Sequence, residues 1–312
     1  MPNPACPPMI SFADALALLL QATPSLPAEH FRIEEVAGRV LRAGIRTDRP
    51  FPPFDRVMMD GYALRQADLL FQQTFRVTGS AAAGHAALSL ARAPGSCVEV
   101  MTGAPLPIGA DCIVPVEATS RHGENEMTVA GSARAQAGQF IHRTGSDAVE
   151  GELLIPPGTR MGSRELGVAA SCGAALLEVS RLPRISLITT GDELVPVDVA
   201  PAPHQIRQSN GHALRAALTR AGYPSVHRGT LGDDADAAAL RGWIEDSDWV
   251  ILTGAVSKGA RDFLPAMLDS LGCTRIFHGV AQRPGKPAGC WVAPEGRMIL
   301  ALPGNPVSAL TG

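Results

Sequence analysis

Lysine is almost missing from this chain: Lys258 and Lys286 are the only two among 27 basic side chains. The six cysteines (Cys6, Cys97, Cys112, Cys172, Cys273 and Cys290) include no C-x-x-C pair, and the eight histidines show no H-x-x-x-H spacing. Without those spacings neither a dithiol redox motif nor a zinc site is evident, and scattered cysteines in apolar surroundings read as buried free thiols. A net charge of −3 gives no electrostatic case for nucleic acid or an anionic membrane. The run Leu16 to Leu20 is far shorter than a membrane span and sits beside Asp14. The N-terminus lacks the basic segment of a signal peptide, so the expected home is the cytoplasm. No Ser-His-Asp or Cys-His set stands out, which disfavours nucleophilic catalysis.

What is there is an ordinary globular composition: 312 residues, 46% hydrophobic and 18% charged, enough for two or three domains with a sizeable core. Residues 1–10 are proline-rich and expected to be loose. Ser11 reads as the N-cap of a helix over 12–22, with Leu16, Leu19 and Leu20 on one face and Pro24 ending it. Residues 28–46 alternate short strand and turn. The stretch 49–63 has too many prolines for a helix and reads as a rigid loop presenting Asp55 and Asp60. A loop aspartate on its own is equally a turn former. From 75 to 141, short apolar runs between Gly and Pro turns predict a β-rich insertion, with Thr102 at a strand end. The segment 141–147 leaves it and ends on Asp147, and a helix is predicted near 163–170.

From 183 the pattern alternates. Strands are predicted at 185–189, 226–231, 249–252, 274–278, 290–292 and 298–302. Helices are predicted from Ser209 or Asn210 to 221, from Asp234 or Asp236 to about 244, and over 263–271 with Asp262 as cap. The fold class is therefore α/β. A doubly wound, mostly parallel βαβ domain spans 183–312. An N-terminal helical segment over 1–27 packs on it, a β-rich module is inserted at 51–147, and 28–50 with 148–182 form a small mixed connecting domain.

The turns after the strands carry the chemistry. Thr190-Gly191-Asp192-Glu193 follows the first strand, Gly232-Asp233-Asp234 the second, 253–262 the third and Leu302-Pro303-Gly304-Asn305-Pro306-Val307-Ser308 the last. In a parallel sheet such turns share one edge, where ligands bind. Glycine lets backbone approach an anion, and a helix start supplies unpaired N–H groups. The loop holding Lys258 is not a Walker A motif, since the lysine precedes its glycine. Glu193, Asp233 and Asp262 at that edge would hold Mg²⁺ on a phosphate, although each could also be a surface acid or a helix cap. Arg283-Pro284-Gly285-Lys286-Pro287 places two cations in a stiff turn. That suits a small oxyanion, or is a solvated basic loop.

Together, Phe54-Asp55, Met59-Asp60-Gly61-Tyr62-Ala63, Met101-Thr102-Gly103-Ala104-Pro105, Thr190-Gly191-Asp192-Glu193-Leu194, Ser209-Asn210, 254–262, Pro284-Gly285-Lys286-Pro287 and 302–308 resemble the MoeA-type molybdopterin molybdenumtransferases, the family that includes the gephyrin E domain. The motifs appear in family order along nearly the whole chain. The resemblance implies Mg²⁺-dependent insertion of molybdate into adenylylated molybdopterin, both of them substrates, with release of AMP. It implies catalytic roles for Asp60, Thr102, Asp147, Asp233, Asp262 and Lys286. It implies binding roles for Thr190, Gly191, Gly254, Ser257, Arg283, Gly285, Pro287, Pro303, Gly304, Asn305 and Ser308, and metal binding by Glu193, Asp233 and Asp262.

The resemblance further implies a homodimer through the connecting domain, with clefts shared between the βαβ domain of one subunit and the β-rich module of the other. A molybdopterin adenylyltransferase and downstream molybdoenzyme machinery are the implied partners, with no nucleic acid and no membrane. Departures from the family pattern are Ala255, where a second glycine is usual, His142 and Ser146, where basic and acidic residues are common, and Gly279. The chain also stops at Gly312 and is expected to be C-terminally truncated, lacking the rest of the last helix and a small C-terminal β-barrel. Two alternatives stand beside this reading. One is an adenylyltransferase of the same βαβ fold, which would not need the β-rich insertion. The other is an impaired molybdopterin-binding or scaffold paralogue.

Overall fold

The computed structural model describes residues 9–131, 135–232, 235–254, 256 and 264–312. It divides into two units. Unit 1 holds the described residues up to Glu29 together with Val179–Gly312, and unit 2 is His30–Glu178. Among the described residues no helix is long and apolar enough to cross a membrane. The five described cysteines are free and buried, and burial pushes the thiols of Cys97, Cys112 and Cys290 up to about 12.

Unit 2 is built on a six-stranded sheet. Its strands are β1 (Gly61–Leu64), β2 (Thr74–Ala81), β3 (Ser96–Val100), β4 (Cys112–Pro115), β5 (Thr119–His122) and β6 (Glu126–Val129). The spatial order is β4-β1-β3-β2-β6-β5, antiparallel except for the β2–β3 pair. Side chains alternate across a strand. Ala63, Val98, Val100 and Ile113 therefore pack on one face, and Tyr62, Leu64, Cys97, Cys112 and Val114 on the other. Both faces are covered, which is why β1 is buried at all four positions. The remainder of unit 2 pairs Ile45–Arg46 with Leu153–Ile155 and adds α2 (Ser163–Ser171); α1 (Phe12–Ala22) belongs to unit 1.

Unit 1 is a three-layer sandwich. Its sheet contains β7 (Ile185–Thr190), β8 (Val226–Leu231), β9 (Trp249–Thr253), β10 (Thr274–His278), β11 (Gly289–Val292) and β12 (Met298–Leu302), ordered β8-β7-β9-β12-β11-β10. The first four are mutually parallel, β11 runs antiparallel to β12, and β10, antiparallel to β11, returns to the direction of the first four. Helices α4 (Ala237–Glu245) and α5 (Leu264–Ser270) cover one face through Leu240, Ile244, Leu264 and Leu268. The other face takes α1, α3 (Asn210–Arg220) and α6 (Pro306–Thr311) through Ala15, Leu214 and Ala309. A sheet covered on both faces needs continuous apolar strands, and all six residues of β7 are buried.

The helix starts follow their capping chemistry. The Asp14 amide donates to Ser11 Oγ at 3.1 Å, and the Ala239 amide to Asp236 Oδ1 at 2.9 Å, so Asp236 is the cap of α4. Ser209 makes no side-chain cap bond, and the α3 start is held differently, as described below.

At the amino edge of the sheet, Arg181 forks onto Asp248 at 2.6 and 2.7 Å, and the Arg184 amide donates to the same carboxylate at 2.7 Å. Asp248 also bonds through its main chain to Arg184 and Met298, so it ties the starts of β7, β9 and β12 together. Burial opposes its ionisation, but the bonds from Arg181 and Arg184 and both guanidinium charges prevail and hold its carboxyl at about 2. A depressed folded pKa contributes stability above the unfolded value of 3.8, lost as pH falls from there to about 2. With screening this is about 1–2 kcal/mol. Arg181→Met is expected to cost about 2–4 kcal/mol at pH 7 and to flatten stability between pH 4 and 2, measured by urea unfolding across that range. Equal unfolding midpoints at pH 7 would contradict the clamp.

Candidate functional site

Because β7, β8, β9 and β12 are parallel and in register, Thr190, Leu231, Thr253 and Leu302 end along one edge. Thr189 pairs with both Thr230 and Thr253, and Thr253 pairs with Leu302. The antiparallel pair brings a further loop to the same edge. Gly289, the first residue of β11, pairs with Ala301 near the end of β12, and His278, the last of β10, pairs with Gly289. The 279–288 connection therefore emerges beside the four parallel-strand loops.

The floor of this edge is main chain at close quarters. The Gly254 amide donates to Leu302 O at 3.1 Å, and Thr190 Oγ1 donates to Thr253 O at 3.2 Å. Gly254 has φ +118°, and a Cβ there would lie 2.5 Å from both Thr190 O and Thr190 Oγ1. A side chain there would be strained and would have to displace the Thr190 main chain. Gly304 lies against it, with its Cβ position 3.4 Å from Gly254 Cα. Asn210, at the start of α3, donates from Nδ2 to Gly304 O at 2.8 Å, and its buried Oδ1 accepts no hydrogen bond. Asn305 caps α6 by accepting from the Val307 and Ser308 amides at 3.1 and 3.2 Å. Pro306 in the first turn fits that start.

Two more loops frame the floor. Gly191 turns with φ +133° so that the Leu194 amide donates to its carbonyl, and the Glu193 carboxylate folds back over it. A Cβ on Gly191 would come within 2.5 Å of Glu193 Oε2. Glu193 and Asp192 are exposed. In the 279–288 loop, the Val280 amide donates to Lys286 O at 2.9 Å and the Ala288 amide to Gly285 O at 3.1 Å. Arg283 and Lys286 are exposed at its tip, and Gly285 is buried beneath them. Ile10, in the stretch expected to be loose, exchanges main-chain bonds with Gly279 and Ala281 and braces the base of the loop. A cavity of about 510 Å³ adjoins the Glu193 turn, lined by 194–198, Gln208, His212 and 228–230.

Of the residues expected in unit 1, Thr190, Gly191, Glu193, Gly254, Arg283, Gly285, Lys286, Pro287, Pro303, Gly304, Asn305 and Ser308 are thus placed on a strand end, loops and a helix start at one edge. Asp233, Ser257 and Asp262 lie outside the described residues. Asn210 was legible as part of a motif but not as the residue that ties α3 to the last turn, because its partner lies 94 positions away.

Asp60, Thr102 and Asp147 belong to unit 2. Asp60 Oδ1 accepts from the Thr102 amide and the Thr102 hydroxyl, both at 2.7 Å. The Thr102 amide, then its hydroxyl, hold the Asp60 carboxyl below its ordinary range. Asp55 accepts from the Thr144 amide at 2.9 Å, the Thr144 hydroxyl at 3.0 Å and Arg143 Nη1 at 2.5 Å. The Thr144 amide does most to lower its pKa. Asp147 Oδ1 lies 2.7 Å from His142 Nε2. No local sequence pattern marks His142 and Arg143 as partners of these acids.

Residues 10–173 match the family model for the MoeA N-terminal region (domain I and II). A molybdopterin molybdenumtransferase from Synechocystis sp. is 34% identical over 306 residues, covering 97% of this chain and 78% of that protein. The chain belongs to the MoeA family. Residues 186–312 of this MoeA chain match the model for a "Probable molybdopterin binding domain", which takes in every strand of the unit 1 sheet but the first residue of β7. The Bacillus subtilis molybdopterin molybdenumtransferase is 35% identical over 293 residues, 91% of this chain and 67% of that protein. The solved MoeA structure from Pyrococcus horikoshii OT3 superimposes with a TM-score of 0.78 at 26% identity, covering 97% of this chain and 76% of that one.

The Gly254 contacts generate a direct test. Gly254→Ala is expected to lower unfolding stability by about 1–3 kcal/mol, through a left-handed φ and a collision with Thr190. Chemical denaturation checks this, and an unchanged midpoint would contradict the close approach.

Proposed function

We propose that this MoeA chain is a molybdopterin molybdenumtransferase of molybdenum cofactor biosynthesis, inserting molybdate into adenylylated molybdopterin and releasing AMP with Mg²⁺. The observation that carries this reading is the arrival of the glycine turns, Glu193 and the Arg283–Lys286 loop at a single sheet edge. Backbone held that closely can bind phosphate through its amides, and the cationic loop suits an oxyanion. The adjoining cavity has the size of a small-molecule site, typically about 300–1,000 Å³.

In this reading Thr190, Gly191, Gly254, Ser257, Pro303, Gly304, Asn305 and Ser308 hold the molybdopterin phosphate side. Arg283, Gly285, Lys286 and Pro287 hold molybdate, with the Lys286 ammonium as its chief counter-charge. Asp60, Thr102 and Asp147 come from the partner subunit of a homodimer, across a shared cleft. The connecting domain, 28–50 with 148–182, supplies the dimer contact; 51–147 is the β-rich module, 1–27 the N-terminal helical segment and 183–312 the molybdopterin-binding domain. The protein works in the cytoplasm, downstream of the enzyme that adenylylates molybdopterin and upstream of the molybdoenzymes.

Magnesium fits the donor chemistry of the edge. Glu193 is an exposed oxygen donor, and the bare Cα of Gly191 leaves the space its carboxylate occupies. Magnesium typically takes one or two carboxylates and completes its shell with substrate phosphates and water. With Asp233 and Asp262, Glu193 would hold it there, where it would neutralise phosphate charge. The residues of the chain bind, orient and shield, so catalysis is positioning and charge stabilisation.

Purified protein incubated with adenylylated molybdopterin, Mg²⁺ and molybdate is expected to release AMP in a molybdate-dependent manner. Asp262→Ala is expected to abolish that release with little change in thermal unfolding. Tight molybdopterin binding without AMP release, or full turnover in Asp262→Ala, would overturn the assignment.

A further inference from the structure

In unit 2 the segments around 51–57 and 141–148 run side by side. Phe51 pairs with Ala148, Val57 with Ile141, and Arg56 with His142. This register brings three side chains into a line. Arg56 Nη2 lies 3.0 Å from His142 Nδ1, and His142 Nε2 lies 2.7 Å from Asp147 Oδ1.

The order of that line fixes a proton. A guanidinium has donors and no acceptor. His142 Nδ1 must therefore accept from Arg56 and carry a lone pair. The ring proton of the neutral imidazole sits on Nε2 and is donated to Asp147. The Asp147 side chain is 56% exposed, whereas His142 is only 25% exposed. An exposed carboxylate with no partner samples several rotamers. Here the Asp147 amide is already fixed on Phe51 O at 2.9 Å, so the imidazole supplies the remaining constraint, on the carboxylate itself.

We propose that His142, held in its Nε2–H tautomer by Arg56, is the positioning residue that aims the Asp147 carboxylate at the substrate. This rests on the reading of Asp147 as a carboxylate that works in the transfer reaction. Arginine or lysine at 142 could only donate, and would set a second cation against Arg56. Histidine offers an acceptor on one side and a donor on the other, so Arg56 and Asp147 are both satisfied. The turn itself has independent support from Asp55, which binds the Thr144 amide and Arg143. Removing the imidazole therefore alters where Asp147 points and leaves the backbone in place.

The test combines a spectroscopic and a kinetic measurement on the full chain. The ¹⁵N spectrum of His142 is expected to show a protonated Nε2 and an unprotonated Nδ1; the opposite tautomer overturns the proposal. In molybdate-dependent AMP release, His142→Ala is expected to lose about tenfold or more in kcat with little change in KM. Its thermal midpoint should match the wild type. His142→Gln, whose amide keeps the acceptor and donor order, is expected to recover most of the loss. Asp147→Asn should fall at least as far as His142→Ala, and the double variant no further than Asp147→Asn. A drop in Asp147→Asn with wild-type turnover in His142→Ala, or no rescue by glutamine, overturns the positioning role while the reading of Asp147 stands. Wild-type turnover in Asp147→Asn overturns that reading itself, and the proposal with it.

Discussion

Gly254 has no room for a side chain, and the candidate site of unit 1 is arranged around that fact. Its amide reaches Leu302 O, its Cα lies against Gly304, and Thr190 occupies the space a Cβ would need. Three strand ends are thereby closed into one floor of main chain. The Glu193 turn, the Asn305 cap and the 279–288 loop stand around that floor. A larger residue at 254 would push the turns after β7 and β12 apart, and the spacing of backbone donors along the edge depends on their closeness. Asn210 extends the same closure to α3 by holding Gly304 O.

The chain treats its acids unevenly. Asp248, at the amino edge, is neutralised by a forked arginine and serves stability. Asp60 is held by an amide and a hydroxyl, neutral groups that keep it ionised without cancelling its charge. Asp147 bonds His142, whose other ring nitrogen faces Arg56. A carboxylate held by neutral donors keeps its charge uncancelled. Lys286, one of the two lysines, stands exposed on the loop at the carboxyl edge.

Much of the fold was legible from residue order alone. The strand at 298–302 is an apolar run that ends at Pro303, those at 226–231 and 274–278 end at Gly232 and Gly279, and Ser11 caps its helix as short polar residues do. The doubly wound layer was legible because buried parallel strands need unbroken apolar runs between helices. The reversed direction of β11 was not, since a buried antiparallel strand has the same composition as a buried parallel one. Yet that reversal carries Arg283 and Lys286 to the site edge. Contacts such as Asn210 with Gly304, or Arg56 with His142, were also hidden, because they join residues 94 and 86 positions apart through geometry that no local pattern records. Motif resemblance named the family, but it could not say which donor holds which carboxylate.

The proposed function places substrate along the carboxyl edge of the unit 1 sheet. Hydrogen–deuterium exchange with and without molybdopterin tests it most directly. Slowed exchange is expected in peptides covering 190–195, 279–288 and 303–308, with 292–297 at the opposite edge unchanged. Protection at 292–297, or none at the three edge loops, would contradict it.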